Sequence, residues 1–256
     1  MTASEIRANA RKALDGKWGK GVLLTLVFFI IEFAITFILN LIPVVGAIAS
    51  VIISMPMSYG LLACLMKLKR GEEFGYTDFL SLGFSSFGKV WAVFGNMILK
   101  MILPVALLIV FIFVFVFGTA GSFTASMFSS SVAISSFSGM AIIGFIGYIA
   151  SLIYVVVKGY LYSLSYYILY DNENMTGKEI VEESARLMNG NRWKFFWLGL
   201  SFIGWAILSI FTLYIGYLWL FPYMMVALVC FYDALKGNNS TVETTKVEEN
   251  PINTAE

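Results

Sequence analysis

Glu32 and Lys158 are an acid and a base set far inside long apolar blocks, where a charged side chain can do the most chemistry. An ionisable group near the bilayer centre costs about 2.5–3.5 kcal/mol on insertion scales, so each needs a partner or a water-filled cavity. At 1.5 Å per residue Glu32 is about 18 Å of helix from Lys20, and Lys158 is about 20 Å from Asp171. These similar depths suggest a Glu32–Lys158 pair that lines an ion or substrate path. The competing readings are a purely structural pair, a Glu32 that carries its proton, and a Lys158 whose stem snorkels to the surface.

Other reactive groups are sparse. The chain has no histidine, which removes the commonest general base and the commonest neutral metal ligand. Cys64 and Cys230 form no C-x-x-C pair and read as small apolar helix residues. Glu179, Glu182 and Glu183 could serve phosphotransfer or hydrolysis, but a solvated helix face explains them better. There is no H-E-x-x-H and no G-x-x-x-x-G-K-[ST]. The expectation is a protein that is not an enzyme, with no cofactor and no catalytic, cofactor-binding or metal-binding residues.

The elements that hold these residues follow from composition. Hydrophobic residues make up 59% of the chain and charged ones 13%, against about 25% charged in soluble domains. Too little polar surface remains to coat a water-soluble globule, and the apolar residues come in long blocks, which favours helices over a β-barrel. Net charge is +1, which gives no basic field for nucleic acid. The fold class expected is all-α: a polytopic membrane helix bundle of about six transmembrane helices in three hairpins, with short cytoplasmic amphipathic helices.

Thr2 and Glu5 have capping-box spacing, Asp15-Gly16 is a helix stop, and Ile6, Ala10, Ala13 and Leu14 share one face. This predicts an amphipathic helix on the membrane surface, and the span-length block after it is not a signal peptide. Spans are expected at about 21–40, 44–66, 96–118, 139–167, 193–213 and 216–235, with a tight Pro43–Gly46 turn after the first. Residues 76–95 read as interfacial and 119–138 as an uncharged Ser-, Gly- and Phe-rich outer loop. Residues 1–236 form a single integral membrane domain, and the polar, acidic 237–256 a disordered cytoplasmic tail. Pro56, Pro104 and Pro222 lie within spans, as kinks rather than ion ligands. Lys158 apart, Lys and Arg are assigned to one side of the membrane, so both termini are cytoplasmic by the positive-inside rule. Two Asn-x-Ser/Thr matches, at Asn174 and Asn238, fall on that side and are read as chance.

The chain also repeats itself. Thr2-x-x-Glu5-Ile6 and Lys12-Ala-Leu14-Asp15-Gly16 align without a gap on Thr176-x-x-Glu179-Ile180 and Arg186-Leu-Met188-Asn189-Gly190. A tryptophan follows in both, Trp18 and Trp193, with one residue inserted in the second. Each unit leads to a Pro-x7-Cys element, Pro56 to Cys64 and Pro222 to Cys230. A weaker third copy starts at Gly88-Lys89-Val-Trp91. The economical architecture is three parallel units, each an amphipathic cytoplasmic helix, a basic-aromatic interfacial anchor and a hairpin, with caps and anchors common to all such helices as the competing explanation.

The stretches Ser184-Ala-Arg-Leu-Met-Asn-Gly190-Asn-Arg-Trp193, Leu200-Ser-Phe-Ile-Gly-Trp205 and Gly216-Tyr-Leu-Trp-Leu-Phe-Pro222-Tyr223 resemble the signature of the domain-of-unknown-function 975 (DUF 975) family of bacterial integral membrane proteins. The opening Glu5-Ile-Arg-x-x-Ala10-Arg11-x-x-Leu14-x-Gly16-x-Trp18, together with Arg70-Gly71-Glu72 and Leu82-Gly83-Phe84, resembles its earlier sections. The resemblance implies a bacterial plasma-membrane location and no activity. The functional expectation is a non-catalytic membrane or accessory component whose partners are the lipid bilayer and other membrane proteins. The alternative is a transporter or channel with Glu32 and Lys158 as its intramembrane polar site.

Overall fold

The computed structural model describes residues 1–42, 44–128 and 131–248, with 238–248 as helical backbone alone. Among the described residues the chain is helical throughout: α1 (Ala3–Leu14), α2 (Trp18–Leu39), α3 (Val45–Arg70), α4 (Asp78–Ser85), α5 (Phe87–Met127), α6 (Ser131–Leu161), α7 (Ser165–Asp171), α8 (Gly177–Met188), α9 (Arg192–Phe211) and α10 (Tyr217–Glu248). Six stretches are long and apolar enough to cross a membrane: Trp18–Leu39, Val45–Arg70, Phe87–Met127, Ser131–Asp171, Arg192–Phe211 and Tyr217–Gly237. Large apolar side chains such as Phe33, Phe37, Phe113 and Ile146 stand exposed along them. Apolar surface in continuous bands of this kind fits a lipid solvent. The six-span expectation is therefore met by length and composition. Pro43 of the expected tight turn, Ser129 and Ser130 of the expected outer loop, and residues 249–256 of the expected tail lie outside the described residues.

Contacts divide the chain into two compact units, residues 1–93 with 164 onward, and residues 94–163, where the sequence reads as one domain. In the second unit α5 and α6 pack on each other through glycines. A Cβ on Gly118 would sit 2.5 Å from the Ala141 nitrogen, and one on Gly144 would sit 2.4 Å from the Phe115 nitrogen. Small residues let backbones approach this closely, which is how membrane helices associate without a hydrophobic driving force between them. The glycines also explain a correction. Residues 119–138, expected as a loop, are helix on both sides of the gap: α5 runs to Met127 and α6 starts at Ser131. Ser and Thr hydroxyls donate to carbonyls one turn back, as Thr119 does to Phe115 and Ser122 to Gly118, so they need no water. The result is a helix of 41 residues.

The first unit is built around α3 and α10. The inner half of α3 is enclosed, with Met57, Ala63, Cys64, Leu65 and Met66 all buried, and Val226, Ala227, Val229 and Phe231 are buried on α10. Short helices close the space beside them. On α4, Phe79 is buried and its ring lies 5.3 Å edge-on from Phe28 of α2. A Cβ on Gly60 would fall 1.8 Å from the Phe79 carbonyl oxygen, and one on Gly83 would fall 2.2 Å from the Pro56 carbonyl oxygen. Only glycine permits α3 and α4 to meet this closely.

The repeat has a physical form. Both α1 and α8 open with a complete capping box: the Thr2 N–H donates to Glu5 Oε2 at 2.8 Å and the Thr176 N–H to Glu179 Oε2 at 2.8 Å. Both end on an extended cap, Asp15 or Asn189, followed by a glycine with positive φ, +69° at Gly16 and +77° at Gly190. The next helices then begin in matching register, at Trp18 and Arg192. No residue is inserted. Trp193 instead sits one position further along than Trp18, a turn of about 100° around the axis.

Three further expectations change. The apolar face of α1, with Ile6, Ala10 and Leu14 buried, turns toward α9 and α10 rather than toward lipid. Ile180, Val181, Leu187 and Met188 of α8 are buried in the same way. Burying such a face against helices that already present apolar side chains satisfies it within the protein. Lys100 lies inside α5, not between spans. Beyond residue 237, read as disordered, helical backbone continues to Glu248, because extending an existing helix needs no new nucleus.

The contact between α3 and α4 yields a test. Gly60→Ala should lower stability by about 1–3 kcal/mol through overpacking, whereas Gly199→Ala, where nothing lies within 4 Å of a new Cβ, should be neutral or gain about 0.5–1 kcal/mol. Thermal unfolding of both variants in detergent, followed by circular dichroism, checks the difference.

Candidate functional site

Two polar clusters of the first unit bear most on function. The larger is where the C-terminal ends of α3 and α7 meet α10. Asp171 closes α7, and its side chain is only 6% exposed. Its Oδ1 accepts from Arg70 Nη1 at 2.7 Å, and its Oδ2 accepts from Lys236 Nζ at 2.7 Å and from the Tyr232 hydroxyl at 3.1 Å. Asp233 accepts from Lys69 Nζ at 2.5 Å and lies 3.6 Å from Arg70 Nη2. The Arg70 guanidinium also sits 5.5 Å from the centre of the Tyr170 ring. Three cations from α3 and α10 thus surround two carboxylates. Each carboxylate is already engaged by cations, so the arrangement acts as a clasp between three helices rather than as an acid–base pair. An arginine, fork-shaped and always charged, suits the centre of such a network.

The second place holds Glu32. The Ser54 hydroxyl of α3 donates to Glu32 Oε1 across the α2–α3 contact. The other carboxylate oxygen, Oε2, is buried and has no hydrogen-bond partner among the described residues. Lys158, on α6, belongs to the second unit, where its ammonium lies 5.8 Å from the centre of the Tyr154 ring, within cation–π range. Each of the two expected site residues therefore has a neighbour of its own: a serine for the acid and an aromatic face for the base.

Two of the three acidic residues of α8 are engaged within their own helix. Glu179 is the capping-box carboxylate, held below the usual carboxylate range by the backbone N–H and hydroxyl of Thr176. Glu183 accepts two hydrogen bonds from Arg186, at 2.7 and 2.8 Å. Cys64 and Cys230 are both buried and free. Among the described residues no three His, Cys, Asp or Glu side chains converge as metal ligands.

The clasp was not anticipated, although a signal for it exists. Asp171 and Asp233 are acidic residues at apolar block ends, Lys69, Arg70 and Lys236 basic ones, and unlike charges at the ends of different apolar blocks can pair.

A family model described as "Protein of unknown function (DUF975)" matches residues 1–239, almost the whole chain. The chain belongs to the DUF975 family. No curated protein and no solved structure matches it. The resemblance read from the C-terminal signature is therefore shown, and DUF975 membership assigns neither activity nor substrate.

The clasp can be weighed against an ordinary surface pair. Removing one partner of a shielded ion pair costs about 3–5 kcal/mol when it is fully buried, and less here because Lys236 is half exposed. Asp171→Asn should lower the unfolding midpoint in detergent by several degrees, and Glu183→Gln should scarcely move it, as expected of an exposed pair.

Proposed function

We propose that this DUF975 protein is a non-catalytic component of the plasma membrane, with its six spans arranged as three hairpins and both termini in the cytoplasm. The clasp carries this reading. Its carboxylates are committed to holding helix ends together, as in a protein whose purpose is to present a stable membrane body. The capped helices α1 and α8 support it, since their apolar faces are used to pack the first unit. The orientation rests on the basic residues around the expected inner ends of the spans, Lys17, Lys20, Lys67, Lys69, Arg70, Lys89 and Lys236. Other membrane proteins are the partners such a body would serve.

The buried, unpartnered oxygen of Glu32 favours a second reading, a transporter or channel, because an unsatisfied intramembrane carboxylate is where a proton or cation would bind.

Proton or ion flux into vesicles reconstituted with wild type, Glu32→Gln, and Glu32→Leu with Lys158→Leu decides between the two. The accessory reading expects no flux from wild type and normal accumulation of the double leucine variant. Flux from wild type that Glu32→Gln abolishes would replace it with the transporter reading.

A further inference from the structure

The two copies of the repeat differ at two positions that matter. Arg7 and Arg11 of α1 match Val181 and Ala185 of α8, so only the first copy carries this basic pair. One turn apart, they share a face of α1. Both reach toward α9 and α10: Arg7 Nη1 donates weakly to the Ser201 carbonyl at 3.4 Å, and Arg11 Nη1 donates to the Tyr223 hydroxyl at 2.9 Å. That hydroxyl donates in turn to the Arg7 carbonyl at 3.3 Å. Arg7 Nε is buried without a hydrogen-bond partner. Neither arginine has a carboxylate within ion-pair distance among the described residues. Two permanent charges held against the middle of α9 and the start of α10 therefore have no counter-charge among the described residues.

A cavity of about 460 Å³ begins at Arg11 and Tyr223. Its walls are mainly apolar and aromatic, with Trp18, Trp205, Leu208 and Trp219 among them. The volume falls in the range of about 300–1,000 Å³ usual for small-molecule sites. Trp205, Leu208 and Trp219 are each about half exposed on the apolar outer surface, so the cavity is open to what surrounds the spans.

We propose that this cavity binds a membrane phospholipid with an anionic headgroup, the phosphate at Arg11 and an acyl chain among the tryptophans. The Arg11 guanidinium fork supplies bidentate donors for phosphate oxygens, and the Tyr223 hydroxyl fixes where it points. The ligand provides a counter-charge, and the apolar walls select a lipid over a free anion. The proposal rests on the membrane reading. Full-length protein that stayed monodisperse without detergent would fail that reading, a result separate from any lipid preference.

The test titrates detergent-solubilised full-length protein with phosphatidylglycerol or phosphatidylcholine carrying brominated acyl chains and follows quenching of tryptophan fluorescence. Wild type should be quenched at several-fold lower mole fraction by the anionic lipid. Arg11→Lys, which keeps the charge but loses the fork, should keep only part of that preference, and Arg11→Gln should erase it. Leu208→Phe, which narrows the cavity without touching the arginines, should weaken quenching by both lipids. Equal quenching of wild type by the two lipids would overturn the proposal. So would a preference that survives Arg11→Gln, or reversal of quenching by inorganic phosphate alone.

Discussion

Asp171 sits where α3 and α7 end against α10, and its two oxygens receive cations from α3 and α10 together with a tyrosine hydroxyl. Asp171 is the last residue of the short α7, and through it the end of that helix is tied to α3 and α10. Asp233 repeats the theme with Lys69, and Arg70 touches both carboxylates, so the five charged groups behave as one network. In surroundings partly shielded from water each of these attractions gains strength, and losing one leaves its partner's desolvation uncompensated. The packing of α3 on α10 and α7 relies on that closure.

The sequence made local features legible and hid the ones that depend on depth of packing. Capping boxes are written in four consecutive residues, so Thr2–Glu5 and Thr176–Glu179 could be read directly and are present as read. Span number followed from apolar length. What could not be read was where an amphipathic face would turn. Ile6, Ala10 and Leu14 look the same whether lipid or α10 covers them. The Ser- and Gly-rich stretch around Gly121 misled for a related reason: in water those residues favour turns, whereas against a partner helix they allow close contact and back-bonded hydroxyls. The clasp and the cavity join residues more than a hundred positions apart, and no local pattern announces such neighbours.

The two repeat copies show how little change separates a packing element from a binding element. Backbone caps, positive-φ glycines and helix starts coincide in both. The differences lie in side chains: two arginines against a valine and an alanine, and a tryptophan displaced by one position. Trp18 packs beside Tyr223, with ring centres 5.9 Å apart, while Trp193 is 73% exposed. A common scaffold thus gives one copy an inward-facing polar corner and the other an outward aromatic edge.

The length of α5 has a consequence for biosynthesis. Its 41 residues extend about 60 Å, twice the roughly 30 Å of a hydrocarbon core. An insertion machinery that samples windows of about 19 residues meets more than one acceptable frame within this single segment. Hydrophobicity alone therefore leaves the segment's final position open. Lys89 and Lys100, which resist passage through the bilayer, narrow the choice as the nascent chain emerges.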